Sequence, residues 1–259
     1  MGKFDGVLLC SDWDGTLCVD GAVPQANIDA IRYFQSEGGK FTLATGRSST
    51  HYIRSITTEI TPNTDAICVG GSCIMSAAGE VLYERFCNDR FEEYTKLLLS
   101  SESPYQAAQI TVQGHEMFQF DKMTVLSAEA HDILSKRRIY KGIFLTSLNE
   151  KSVNDALSFL KPLTFEGYMP LRSFPYSVEL IPADGGKGNA VRWLANKNRA
   201  RLVVCVGDYE NDCDMLRIAD YGYAVSGGSA LARASANRFA ASVTAGAVAS
   251  VIEELDSEL

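Results

Sequence analysis

Apolar residues fall into short runs that stop at acidic or glycine-bearing ends. Residues 4–10 (FDGVLLC) run straight into Ser11-Asp12-Trp13-Asp14-Gly15-Thr16. A short continuous apolar run bounded by turn signals predicts a buried strand of the parallel-sheet kind. Pro24 then opens a helical pattern with Ile28, Ile31 and Phe34 on one stripe, closed by Gly38-Gly39. Residues 40–44 (KFTLA) predict a second strand ending at Thr45-Gly46-Arg47. Ser48 or Ser49 can cap a following helix through Ile53 and Ile56, and residues 66–69 (AICV) predict a third strand. Strand, helix, strand, helix, strand is the signature of a parallel sheet with helices on its faces.

The pattern changes after that. Residues 73–75 and 81–83 flank Ala78-Gly79 and predict a hairpin. Helices are expected around FEEYTKLLLS, AHDILSKR and VNDALSFL. Strands are expected around AAQITV, MFQF, GIFLTS, LTFEGY and YSVELI. Two of these strands, 108–113 and 117–120, are joined by Gly114-His115-Glu116 and predict an antiparallel pair. This stretch reads as a separate α+β domain inserted into the first. Past Pro182 the first pattern resumes, with a helix from Lys187, a buried strand at 201–206 (RLVVCV) ending in Gly207-Asp208, and a weaker strand at 223–225. A helix is expected over 245–255, and the alanine-rich stretch 230–249 reads as tight helix packing. The predicted fold class is α/β, a Rossmann-like parallel-sheet core with an inserted α+β cap domain. Its divisions are 1–82 (core), 83–182 (insertion) and 183–259 (core).

Composition narrows the classes of function. The chain has 259 residues, 46 % of them hydrophobic, and a net charge of -8. That is enough for a core with a substantial insertion. It argues against a nucleic-acid partner held on a general basic surface. The opening residues have no run suited to a signal peptide, and no stretch approaches a membrane span. Seven cysteines form no CxxC pair. These features lead us to expect a cytoplasmic protein, monomer or small homo-oligomer, with a small-molecule partner and neither nucleic acid nor membrane.

Chemistry concentrates at the strand ends, where open parallel sheets bind ligands. Asp12, Asp14, Thr45, Asp208 and Asp212 all lie at or just past such ends. In extended geometry Trp13 would point away and both carboxylates of the Asp12/Asp14 pair would face one cleft. Clustered carboxylates repel, and Mg²⁺, a hard cation, relieves that beside phosphate. One carboxylate can then attack phosphorus, while the other moves the proton. The bland alternative is a turn, since Asp-Gly is a common turn pair. Thr45 and Gly46 offer a hydroxyl and an N–H to phosphate oxygens, or a helix cap. Arg47 suits either substrate contact or an ion pair with a surface acid. Lys187, behind a glycine turn, can reach the carboxylates or remain a solvated lysine. Asp208 suits a metal ligand. Asn211 and Asp212 suit N-terminal capping, metal-linked water or contact with Lys187. Asp214 reads as an acid that favours the helix dipole and lies outside the metal's immediate ligands. The first loop lacks a GxGxxG turn, so a dinucleotide-binding role is set aside.

DWDGT at 12–16, ATGR at 44–47, Lys187 in GGKGNAV and GDYEND at 207–212 together resemble the four motifs of the haloacid dehalogenase superfamily of phosphatases. VGGSCI at 69–74 and the segment from 223 to 252 are similar to its Cof-type, sucrose-phosphate-phosphatase-like branch. The resemblance implies a Mg²⁺-dependent phosphatase of small phosphate monoesters, foremost sugar phosphates, with the insertion as a large α/β cap. It implies Asp12 as nucleophile and metal ligand. Asp14 would be general acid/base and give its carbonyl to the metal. Thr45, Gly46, Lys187 and Asn211 would hold the phosphoryl group, Asp208 would bind metal and Asp212 would support it. That branch often carries Asn-Gly-Ala where this chain has Val69-Gly70-Gly71. The alternatives are a phosphomutase using the same aspartyl-phosphate and a non-enzymatic interaction module. In the insertion, His115, Glu116, Arg172, Tyr176 and Glu179 are candidates for substrate contact by type. His115 reads first as an exposed hairpin residue, and Arg137-Arg138 as a solvated helix end. His51 and His131, in helical patterns, need no special role.

Overall fold

The computed structural model describes residues 2–48, 60–87, 89–147 and 149–259. Strand β1 (Val7–Ser11) is buried at every position, as a central parallel strand must be. Helix α1 (Gln25–Ser36) follows Pro24 and buries Ile28, Ile31 and Phe34, the predicted stripe, together with Asn27. Asn27 accepts the N–H of Ala249 at 2.9 Å through its side-chain oxygen, so this polar residue is buried with a partner. The chain reverses at Gly38, whose φ of +89° suits glycine, into β2 (Lys40–Leu43). The helix expected through Ile53 and Ile56, with His51, lies outside the described residues.

The third strand is shorter than expected. β3 (Ala66–Cys68) meets the first sheet through one parallel bridge, Ala44 to Ile67, and otherwise pairs antiparallel with β4 (Cys73–Met75), beside β5 (Val81–Glu84). Val69 leaves the strand with φ +53° and starts a 3-10 turn, Val69–Gly71. A β-branched residue in that region is strained. The turn is held by the N–H of Val69 on the Arg47 carbonyl and that of Gly70 on the Thr45 carbonyl, both 2.9 Å.

Residues 84–185 form a compact unit of their own. In chain order it contains α2 (Phe91–Leu98), β6 (Ala107–Val112), β7 (Met117–Asp121), α3 (Ala128–Lys136), β8 (Ile139–Leu145), α4 (Glu150–Leu160), β9 (Tyr168–Phe174) and β10 (Ser177–Pro182). The sheet is antiparallel, in the order β7-β6-β8-β10-β9. Phe91, Tyr94 and Leu98 of α2 and Ile133 and Leu134 of α3 share its core with Ile110, Phe144, Val178 and Leu180. LTFEGY is not a strand. The chain turns there and β9 begins at its last residue, Tyr168. Pro170 is tolerated because β9 is an edge strand. Between Val178 and Leu180, strand alternation turns Glu179 to the opposite face. Its carboxylate meets the Lys141 ammonium of β8 at 3.0 Å, with both side chains almost fully buried.

The first unit, residues 1–83 and 186–259, is completed by the returning chain. It adds α5 (Lys187–Asn198), β11 (Leu202–Gly207), α6 (Cys213–Ile218), β12 (Tyr221–Val225), α7 (Ala230–Ser235), β13 (Arg238–Ala240) and α8 (Ala247–Glu258). The main sheet runs β13-β12-β11-β1-β2, and every pairing in it is parallel. β13, three residues within the alanine-rich stretch, is too short to leave a readable pattern. Register sets Cys10 of β1 beside Cys205 of β11 and Ser11 beside Val206. The ends of β1 and β11 are thereby level. Among the described residues, no helix is long and apolar enough to cross a membrane.

Replacing Lys141 by Met should destabilise the protein by about 3–5 kcal/mol, because it strands a buried carboxylate. The double variant Lys141→Met, Glu179→Met should recover most of that loss. Urea unfolding of the three proteins checks both, and additive losses would show that the pair is not coupled.

Candidate active site

Asp12 extends the ladder by one residue past β1, its N–H donating to the Val206 carbonyl at 2.9 Å. That bond keeps its carboxylate at the level of the β11 end. The chain then turns: the Trp13 carbonyl accepts the N–H groups of Leu17 and Cys18 at 3.1 and 2.8 Å. Strand alternation therefore ends at Trp13, which is buried in the core. Asp12 is buried and Asp14 exposed. Asp14 receives two hydrogen bonds from Arg47, Nε at 3.0 Å and Nη2 at 2.6 Å. Arg47 thus takes the role of ion-pair partner to an acid.

Lys187 is fully buried, and its ammonium lies 2.5 Å from Asp12 Oδ1 and 2.5 Å from Asp212 Oδ1. The other oxygen of Asp212 accepts the N–H groups of Asp208 and Tyr209 at 2.9 and 3.1 Å, so Asp212 holds the loop and the lysine together. Asp208 Oδ1 accepts the Thr16 hydroxyl at 2.8 Å. Gly15 has φ +81°, and a Cβ there would come within 2.7 Å of Asp208 Oδ2. Only glycine lets the two loops approach this closely. On the other side Gly71 (φ +95°) abuts the start of α5, where an added Cβ would meet the Gly186 carbonyl at 2.1 Å.

Thr45 is buried. Its N–H donates to the Ile67 carbonyl at 2.9 Å and its hydroxyl oxygen accepts the Arg47 N–H at 3.1 Å. Gly46 follows it in the same loop, half-buried, and Asn211 is half-buried on the 3-10 turn Glu210–Asp212. Thr16 and Gly71 escaped the sequence reading as parts of the site, although Thr16 stood inside the first motif. Asp214 is expected from its position to favour the dipole of its own helix. It stands in that first turn, and its carboxylate also accepts the Gly188 N–H of α5 at 2.8 Å.

Carboxylate oxygens of Asp12, Asp208 and Asp212 lie within 4.8 Å of one another. One ammonium faces three carboxylates, and the electrostatics reflect the excess. Burial raises the Asp12 carboxyl well above its usual range; Lys187 opposes this, and Asp212 and Asp208 reinforce it. Burial would lower the Lys187 ammonium, but Asp12 and Asp212 more than reverse that and hold it protonated. Burial first, then the Asp212 charge, pushes Asp208 up to about 6. Such a set of hard oxygen donors, short of positive charge, fits a bound metal ion. Asp212 spends both oxygens on Lys187 and the loop amides. Asp12 and Asp208 each keep one oxygen outside these bonds.

The candidates in the inserted unit divide. Glu179 is spent on Lys141 and Glu116 pairs with Arg137 at 2.6 Å. His115 occupies its hairpin with φ +64°, but the ring is half-buried and stacked on Tyr140 at 5.4 Å, and burial lowers its pKa. Arg138 packs its guanidinium over the Phe86 ring at 3.8 Å, and Arg137 lies 5.7 Å over Phe118. His131 bonds Glu92 at the surface. Tyr176 is exposed and Arg172 half-buried.

Four acids and a buried lysine thus stand at the strand ends of a parallel sheet. The family of haloacid dehalogenase-like hydrolases matches residues 9–252, and the chain belongs to it. It is accordingly an enzyme of the hydrolase class. Among curated proteins it is 26 % identical to YxeH of Bacillus subtilis, across 85 % of this chain and 87 % of that one. It is 24 % identical to the chloroplastic endoribonuclease YBEY of Arabidopsis thaliana across 87 % of this chain, spanning only 42 % of that longer protein. Among solved structures, BT1666 of Bacteroides thetaiotaomicron, a phosphatase of the superfamily, shares the fold with a TM-score of 0.77 at 19 % identity, covering 98 % of this chain and 96 % of that one. The subclass IIB sugar phosphatase BT4131 does so with a TM-score of 0.76 at 17 % identity, covering 96 % and 98 %.

Replacing Lys187 by Met leaves Asp12 and Asp212 buried and uncompensated. A loss of about 3–5 kcal/mol in urea unfolding at neutral pH is expected. Unchanged stability would show that the ammonium does not hold the two loops together.

Proposed function

We propose that the protein is a Mg²⁺-dependent phosphatase of small phosphate monoesters, foremost sugar phosphates, acting in the cytoplasm. The observation that carries the reading is the shared ammonium. Lys187 fixes one oxygen of Asp12 and leaves the other to attack phosphorus. In the first step that oxygen bonds to phosphorus and the ester P–O bond breaks. The leaving oxygen takes the proton of the Asp14 carboxyl group. In the second step Asp14 removes a proton from water, the water oxygen bonds to phosphorus, and Asp12 departs with inorganic phosphate released. The exposure of Asp14 and its place two residues past Asp12 support the proton-transfer role. Thr45, Gly46, Lys187 and Asn211 supply donors to the phosphoryl oxygens, and Asp212 steadies Lys187.

Asp12, through the oxygen that Lys187 also bonds, and Asp208 would hold Mg²⁺ by their carboxylates, with the Asp14 carbonyl as a further donor. The ion would supply positive charge to the phosphoryl oxygens. The sugar-phosphate class is supported by the likeness to the sugar phosphatase BT4131, and the cytoplasm by seven free cysteines.

With Mg²⁺, a panel of sugar, nucleotide and cofactor phosphates should yield free phosphate, and EDTA should abolish the reaction. Asp12→Asn should lower kcat at least about a thousandfold while the circular dichroism spectrum is retained. Isomerised sugar phosphate with little free phosphate would make the enzyme a mutase. Absence of turnover across the panel would favour an interaction module.

A second expectation follows from Asp208. Its folded pKa, about 6, lies above the usual carboxylate value. The folded state therefore binds this proton more tightly than the unfolded state. Stability from this group is present at low pH, declines as pH rises towards 6, and stays lost above it. Mg²⁺ should compensate where Asp208 is ionised, by about 2.7 kcal/mol at a hundredfold excess over Kd. Thermal unfolding should show a clear rise in Tm with Mg²⁺ at pH 7.5, a small one at pH 4.5, and none in Asp208→Asn. Equal shifts in both proteins would locate the metal elsewhere.

A further inference from the structure

Helix α5 carries Lys187 as its first residue, yet its start has no side-chain cap of its own. The N-cap is Gly186, at φ +87°, and its first turn contains no acid. A helix start leaves N–H groups without intrahelical partners, and here they are in the interior. One of them, the N–H of Gly188, is met from another element. Asp214, in the first turn of α6, accepts it through Oδ2 at 2.8 Å, while its Oδ1 accepts the Met215 N–H at 2.9 Å. The approach is close. A Cβ on Gly188 would lie 2.9 Å from the Asp214 carbonyl group and 3.1 Å from its carboxylate.

Asp212 binds the Lys187 side chain two residues before Asp214 binds the backbone next to Lys187. One short segment thus grips both the ammonium and the root of the helix that bears it. We propose that Asp214 is a positioning residue for Lys187. Its bond to Gly188 fixes the rise and rotation of the first turn of α5, so that the ammonium sits between Asp12 and Asp212. Without it, Asp212 holds Lys187 only by the end of a long flexible side chain, and the α5 start loses a backbone anchor on the side away from Gly71. A displacement of about 1 Å at such a group is enough to cost on the order of a hundredfold in rate. The effect on turnover rests on the phosphatase reading above. The effect on Lys187 itself does not.

The test compares Asp214→Ala and Asp214→Asn in the full-length enzyme. Asparagine keeps an acceptor for the Gly188 N–H and removes the charge. With p-nitrophenyl phosphate and saturating Mg²⁺, Asp214→Ala should lose about 10- to 100-fold in kcat with KM within about threefold of the parent. Asp214→Asn should stay within about threefold in both. The ¹⁵Nζ resonance of Lys187, observed by NMR, should broaden or shift in Asp214→Ala and remain in Asp214→Asn. Gly188→Ala, which pushes the two helices apart from the other side, should reproduce the Asp214→Ala result and serves if that variant does not fold. A lowered Tm with kcat and the Lys187 resonance unchanged would reduce Asp214 to a structural cap and overturn the proposal. Equal impairment in the Asn variant would overturn it as well, assigning the effect to charge. If the parent enzyme hydrolyses no ester, only the phosphatase reading fails, because the Lys187 resonance still decides the role of Asp214.

Discussion

The ammonium of Lys187, shared at 2.5 Å between Asp12 and Asp212, is the interaction on which the rest of the site depends. An ammonium without solvent is costly unless paired and hydrogen-bonded. The same holds for the two carboxylates. Each of the three groups is tolerated only because the others are present. They come from three separate stretches of chain: the end of β1, the start of α5 and the turn after β11. The shared charge therefore tests whether the sheet is assembled correctly. A slip of one residue between β1 and β11 would turn Asp12 to the other face and leave the lysine without its partner.

Around that charge, short contacts set the spacing. Gly15 lets the first loop lie against Asp208, and Thr16 fixes the orientation of that carboxylate. Gly71 lets the strained Val69–Gly71 turn lie against the beginning of α5. That same turn is bonded to the Thr45–Arg47 loop. The loops around the cluster are thus tied to one another through the backbone. Negative charge remains in excess, since three carboxylates face one ammonium. Burial first, and that excess after it, raises the Asp12 and Asp208 carboxyl groups. The cluster of Asp12, Asp208 and Asp212 matches the donor set of a divalent-cation site.

Much of the fold was legible because burial leaves a pattern. β1 is apolar throughout, α1 repeats its apolar residues at helical spacing, and β11 ends on Gly207-Asp208. The failures have local causes. β13 is three residues long, β9 begins where its predicted segment ends, and Val69 is a strand former in a left-handed conformation. In each, tertiary contacts overrode intrinsic preference. Of the acids, Asp14 shows the same limit. Its spacing from Asp12 says nothing of its partner, and only the fold pairs its exposed carboxylate with Arg47.

The chemistry available and its order are written along the chain: Asp12 after a buried strand, Thr45 after a second, Lys187 behind a glycine turn, and Asp208 and Asp212 after a third. Those features are local, and local physics reads them. Packing sets which oxygens remain free, which acid Arg47 occupies, and that Asp212 bonds Lys187 while Asp214 bonds the backbone beside it. These facts depend on distances between residues up to 192 positions apart. Such distances are set by strand register and helix packing, which no single segment encodes.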